Sequence, residues 1–114
     1  MSGKNVLRQN SDFHRCYGRG KSCVSPLIVT YAVKNRGLGV RVGITATKKL
    51  GSAVERNRCR RIIRAAYSSL RDECSGNYDI VMVARHKTKN AKSTDLIPVI
   101  RSQLIQLNVI KGRQ

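Results

Sequence analysis

Hydrophobic positions change their spacing several times along this 114-residue chain, and each change marks an element. After Ser11, the order Asp12, Phe13, Cys16, Tyr17 puts Phe13 and Tyr17 one turn apart, which predicts a short helix stopped by Gly18 and Gly20. Ser22 to Ser25 leaves room for a very short strand. Pro26 separates it from Leu27 to Lys34, LIVTYAVK, whose β-branched and aromatic content favours a longer strand. Two glycines in Asn35 to Gly39 turn the chain into Val40 to Thr47, where Val42, Ile44 and Ala46 alternate with polar or small residues.

A helical period then takes over. Ser52 with Glu55 three positions later is a capping box, so a helix is expected to start there and run to about Arg71. At about 100° per residue, Cys59, Ile62, Ile63, Ala66, Tyr67 and Leu70 share one arc, and Asn57, Arg58, Arg60, Arg61 and Arg64 share the opposite one. Gly76 and Asn77 turn into Tyr78 to Arg85, YDIVMVAR, apolar on both faces and suited to the inside of a sheet. The loop His86 to Lys92 is basic. A last helix fits Leu96 to about Leu107, with Asp95 as N-cap, Pro98 at the third helical position and Leu96, Ile100, Leu104 and Leu107 as its buried stripe. Residues 1–9 have little periodicity and read as a loosely held basic arm, and 108–114 as a tail, so 1–114 is expected to form one small domain.

Charge changes what this small α+β pattern is for. Lys and Arg number 23 against 6 Asp and Glu, a formal charge of +17, while 40% of residues are hydrophobic and fall in periodic segments. The apolar content supports a packed core rather than disorder, and the unbalanced charge makes most sense if phosphates neutralise it. Nucleic acid is therefore the expected partner. No run approaches the roughly 18 apolar residues of a membrane span, and Met1 to Asn10 has no stretch that resembles a secretory signal, so the expected location is cytoplasmic. Cys16, Cys23, Cys59 and Cys74 form no C-x-x-C pair and read as reduced, partly buried thiols.

The cations concentrate in Arg41 to Tyr67, RVGITATKKLGSAVERNRCRRIIRAAY, where eight Lys and Arg face one carboxylate, Glu55. A solvated helix usually pairs its arginines with carboxylates four residues away, but Arg56, Arg60 and Arg64 repel one another at that spacing. Lys48, Lys49 and Arg56 also crowd the positive end of the helix dipole. Phosphate oxygens would relieve both conflicts, gripped by helix-terminal amides and forked guanidinium groups.

Other motifs fare worse. Gly20-Lys21-Ser22 has the ending of a P-loop, but the glycine required five positions before Gly20 is Arg15. His14 and His86 could serve as acid and base in RNA cleavage, yet nothing in the sequence places them together. Asp12, Glu55, Asp72, Glu73, Asp79 and Asp95 are too scattered for a two-metal nuclease. Phe13, Tyr17 and Tyr31 could stack on single-stranded bases, although spacing alone favours core packing for each.

With these residues in view, the chain closely resembles the protein component of bacterial ribonuclease P. The match is most specific over the strand RVGITAT, Lys48-Lys49-Leu50-Gly51, Ala53-Val54, and Arg56-Asn57-Arg58 followed by Arg60, Arg61 and Arg64. It extends to Phe13 and Tyr17 before Gly18, to Tyr31, and to YDIVMVAR before a C-terminal helix. The resemblance implies an αβββαβα domain with one mixed sheet and a left-handed βαβ crossover. It also implies an accessory subunit of an RNA catalyst, which cleaves precursor tRNA at the mature 5′ end with magnesium, the protein itself binding no cofactor and having no catalytic side chain. Carried onto this sequence, Lys48, Lys49, Arg56, Asn57, Arg58, Arg60, Arg61 and Arg64 become the set facing the catalytic RNA, and Phe13, Tyr17 and Tyr31 the cleft for the 5′ leader. The competing expectations are a structural module of another ribonucleoprotein, which needs no leader cleft, and a protein-only ribonuclease using His14 and His86.

Overall fold

A computed structural model of the protein describes residues 6–7 and 9–111. Four strands form one sheet: β1 (Lys21–Val24), β2 (Ile28–Lys34), β3 (Val40–Thr45) and β4 (Tyr78–Ala84), in the spatial order β1-β2-β4-β3. β2 is antiparallel to β1 and to β4, whereas β3 and β4 are parallel, so the chain between them must cross over. Helix α2 (Ala53–Leu70) makes that crossover; α1 (Asn10–Arg19) precedes the sheet and α3 (Ser93–Gln106) follows it. The order is αβββαβα, as the resemblance implied.

Side chains alternate across a strand, so the register sorts the sheet into two faces. Ile28, Thr30 and Ala32 of β2, Val42 of β3, and Ile80, Met82 and Ala84 of β4 point one way and are buried beneath α2 and α3. Cys59, Ile63, Ala66, Tyr67 and Leu70 of α2 and Leu96, Ile100 and Leu104 of α3 complete that core. The amide of buried Gln103 donates to the carbonyls of Ile28 (3.0 Å) and Cys23 (3.2 Å) and its oxygen accepts from Thr30 Oγ1 (2.6 Å), satisfying the polar groups where α3 crosses β1 and β2. The other face carries a smaller cluster of Leu7, Cys16 and Val81, flanked by Phe13, Tyr31, Val33 and Val83, with α1 across it.

Several boundaries differ from the pattern in the sequence. α1 runs through Gly18 and stops only at Gly20, where an added Cβ would lie 2.4 Å from the Cys16 carbonyl oxygen and 2.9 Å from that of Ala32. α3 starts at Ser93, three residues before the expected Leu96, with Lys92 as N-cap; Asp95 is the third helical residue and its carboxylate accepts the Lys92 N–H (2.9 Å). Pro98 therefore lies beyond the first turn, on an exposed side where the unpaired Thr94 carbonyl can be solvated. The segment after α3, read as a tail, is packed as far as Ile110. Asn108 takes a left-handed conformation (φ 66°), Val109 N–H bonds the Leu104 carbonyl (2.9 Å), and Val109 and Ile110 are buried, with Ile110 bridged to Cys74. Part of the expected arm is also held: Val6 bridges to Val42 on the β3 edge, and buried Leu7 donates its N–H to the Val42 carbonyl (3.1 Å). Of the expected arm and tail, residues 1–5, 8 and 112–114 lie outside the described residues.

Candidate RNA interface

The capping box at the start of α2 forms as the local sequence requires. Ser52 Oγ accepts from Glu55 N–H (3.2 Å), and the Glu55 carboxylate accepts from Ser52 N–H (3.1 Å). That backbone bond, with Lys89 beside it at 3.6 Å, holds the Glu55 carboxyl below its usual pKa. Lys89 also donates to the Leu50 carbonyl (2.8 Å), so the basic segment after β4 braces the 3-10 turn Lys48–Leu50.

From this braced start the cationic face of α2 points to solvent. Lys48, Lys49, Asn57, Arg58, Arg61 and Arg64 are exposed, and Arg56 and Arg60 are half-buried. Among the described residues, no salt bridge includes any of these cations. Arg60 instead donates to Asn57 Oδ1 (2.9 Å) and to the Ala46 carbonyl (3.3 Å), tying the helix to the end of β3. Val54, Asn57, Arg60, Arg61 and Arg64 line one shallow concavity, a ridge-and-dip surface with only cationic and amide polar groups.

The three aromatics come together on the α1 side of the sheet. Tyr17 and Tyr31 meet edge to face with centroids 5.0 Å apart and planes at 83°, and the Tyr17 hydroxyl lies 3.3 Å from Thr45 Oγ1. Tyr17 thus spans from β2 to β3 across the central strand β4 and is 41% exposed, too open for a core residue. Beside it the register aligns Val24, Val29, Val83 and Thr45 in one row across all four strands. α1 leaves that row partly uncovered: Val29, Val83 and Thr45 are half-buried, and Val24 is 68% exposed. An apolar floor with an aromatic wall suits unstacked bases. Its β3 end continues through Ala46 and Thr47 into Lys48, so cleft and ridge adjoin.

Two features of this site have no counterpart in the sequence reading. Gly43 seats Phe13: a Cβ there would lie 2.6 Å from Phe13 Cζ and 2.7 Å from Cε1. Asp79, fully buried on β4, accepts from Arg41 twice (2.8 Å each), from Asn35 Nδ2 (2.9 Å) and from Arg15, and Asp12 lies within 3.6 Å of Arg15 and 3.5 Å of Arg41. Nothing in YDIVMVAR singles out Asp79 as a buried charge, because its partners Arg15, Asn35 and Arg41 are far away in the chain.

The remaining candidates sit on different elements. His14 is exposed on α1 and His86 is exposed after β4, and neither makes a side-chain hydrogen bond among the described residues. No group of three or more His, Cys, Asp or Glu that could hold a metal ion occurs among the described residues. The four cysteines are unpaired, Cys16 and Cys59 buried and Cys23 and Cys74 half-buried, and burial raises every thiol pKa, that of Cys74 to about 11. No helix among the described residues is long and apolar enough to cross a membrane.

Comparison with known proteins finds relatives that share this fold. A family model described as Ribonuclease P matches residues 1–107. A Clostridioides difficile (strain 630) protein named Ribonuclease P protein component is 39% identical over 97 residues, spanning 84% of this chain and 85% of that one. The RNase P protein of Staphylococcus aureus superposes with a TM-score of 0.81 at 29% identity, covering 94% of this chain and 98% of its own. That of Thermotoga maritima gives a TM-score of 0.69 at 28% identity, with 94% and 98% covered.

Proposed function

The chain belongs to the ribonuclease P protein family, and we propose that it acts by docking the cationic face of α2 on a catalytic RNA while the cleft beside α1 holds the 5′ leader of precursor tRNA. The observation that carries this reading is the joining of two unlike surfaces. A ridge without carboxylate partners adjoins an exposed aromatic wall over an apolar floor.

Each surface has its own task. Lys48, Lys49, Arg56, Asn57, Arg58, Arg60, Arg61 and Arg64 contact phosphates of the catalytic RNA, each neutralised phosphate releasing counterions. Phe13, Tyr17 and Tyr31 receive leader bases, with the Tyr17 hydroxyl adding a polar contact. The RNA, with its magnesium ions, performs the endonucleolytic cleavage that matures the tRNA 5′ end. This chain offers little to a metal: Asp12, Glu55, Glu73 and Asp79 are already paired with Arg or Lys. Its contribution is to hold leader and catalyst together with fixed cations, which lowers the magnesium needed for activity.

The test is cleavage of leader-bearing tRNA precursors by the cognate RNA at limiting magnesium. Addition of the protein is expected to raise the rate and tighten substrate binding. No change on addition would refute the proposal, and cleavage by the protein without RNA would replace it with direct catalysis.

A further inference from the structure

Neither RNA surface uses the buried carboxylate of Asp79, yet this group joins the elements that frame the cleft. We infer that Asp79 and Arg15 form a positioning pair that sets α1 across the sheet and thereby places Phe13 and Tyr17 for leader binding. The inference rests on the leader-cleft reading given above.

The apolar underside of α1 is too small to fix it alone. Cys16 is the one fully buried side chain on its ten residues, and the cluster on that face has only Leu7 and Val81 as other buried members. Polar anchoring supplies what apolar area does not. Asp79 takes Arg41 Nε and Nη2 at 2.8 Å and Asn35 Nδ2 at 2.9 Å, and Arg15 from α1 occupies a further lone pair of Oδ2, so the acceptor capacity of the carboxylate is used. Cys16 Sγ meets the Asp79 carbonyl at 3.6 Å, a second tie to the same residue. Asn35 also donates to the Gly39 carbonyl (2.8 Å), which fixes the β2–β3 loop to the same carboxylate.

The placement explains the consequence for the cleft. Val33, Asp79 and Arg41 form one row across the sheet, Tyr31, Val81 and Gly43 the next, and Val29, Val83 and Thr45 the third. Arg15 anchors α1 over the first row. Phe13, two residues before it, lies on Gly43 in the second, and Tyr17, two residues after it, touches Tyr31 in the second and Thr45 in the third. A helix is stiff over so short a span, so the position of Arg15 decides how far Tyr17 overhangs the open row. Arg15 and Arg41 spend their charge on Asp12 and Asp79, which distinguishes them from the free cations of α2.

Arg15→Met is the informative variant, because Arg41 and Asn35 still satisfy Asp79 and the sheet keeps its ion pair. Arg15→Lys restores the charge without the fork and serves as the conservative rescue. Each is assembled with the cognate catalytic RNA, and affinity is measured for precursor tRNA with a leader and for tRNA without one. The free protein is followed by NMR, reading the ring-current shifts of Tyr31 produced by Tyr17, together with its melting temperature. Arg15→Met is expected to lower the leader-dependent gain in affinity by about fivefold or more, comparable to losing one base stack. It should shift the Tyr31 resonances without RNA and leave leaderless binding unchanged, and Arg15→Lys should recover part of both effects. An unchanged gain in Arg15→Met, where Tyr31→Ala abolishes it, would overturn the positioning role but keep the cleft. A lowered gain with unmoved Tyr31 resonances would overturn it too, making Arg15 a direct RNA contact. Absence of any leader-dependent gain in the unsubstituted protein would instead remove the cleft reading itself.

Discussion

Gly43→Ala tests the seat of Phe13 with one methyl group. The added Cβ would stand 2.6 Å from Phe13 Cζ, 2.7 Å from Cε1 and 3.2 Å from Leu7 Cβ, closer to the ring than real carbon atoms pack, so the ring has to leave its place. Overpacking of this kind costs about 1–3 kcal/mol, partly offset by about 0.4–1 kcal/mol from the lower entropy of an unfolded chain with alanine. The net loss is then roughly 0–2.5 kcal/mol, which at about 4–8 °C per kcal/mol for a domain of this size sets the expected fall in Tm at up to about 20 °C. The decisive measurement is a double-mutant cycle with Phe13→Ala, following urea unfolding by far-UV circular dichroism in all four proteins. Without the ring the methyl group has space, and Gly43→Ala should become close to neutral, giving a coupling of about 1–2 kcal/mol. Equal costs in both backgrounds would show that Phe13 does not rest on Gly43, and the account of the cleft wall would be wrong.

Exposed Arg61 and Arg64 are better probes of the ridge than Arg60, which also holds the Ala46 carbonyl. Replacing both with Gln should weaken binding to the catalytic RNA and flatten log K against log salt by about 0.7–0.9 per lost phosphate contact; an unchanged slope places them off the RNA. Ser52→Ala should cost about 1 kcal/mol of stability at neutral pH through loss of the α2 cap. Because the folded state holds the Glu55 carboxyl below its ordinary pKa, its share of that cap is complete above the unfolded value and fades as pH falls through the lowered one. The stability gap between the parent protein and Glu55→Gln should therefore narrow in acid, as read from urea midpoints at several pH values, and a gap that widened would contradict the assignment. Burial raises all four thiol pKa values, so alkylation by iodoacetamide at pH 8 should be slow in the folded protein and fast in urea for Cys16 and Cys59 above all; rapid native labelling of these two would show that their sites open.

The features legible in the sequence are those whose causes are local. α2 could be bounded because Ser52 and Glu55 complete their cap within one turn, and its two faces could be assigned because helical periodicity acts over neighbouring residues. The cationic surface followed from the same local pattern, since like charges four apart have no intrahelical relief. The start of α3 was harder to place because an aspartate near a helix start can serve either as the cap or as the third-residue acceptor that Asp95 is. The end of that helix held an unused local signal, an asparagine suited to positive φ followed by the apolar pair Val109 and Ile110.

Tertiary structure decided the rest. Tyr17 and Tyr31 lie far apart in the chain, and only strand pairing sets them together beside the Val24–Val29–Val83–Thr45 row. Arg15 and Asp79 are 64 residues apart, and Arg41 meets Asp79 only because β3 pairs with β4 in one register; a slip of one residue would turn Asp79 to the other face. Composition and periodicity could therefore reveal that a cationic helix exists and which way it faces, because those follow from bonds made within a turn. Where the aromatic wall stands, and what holds it there, depends on sheet register and on buried charges from distant segments, which no local pattern encodes.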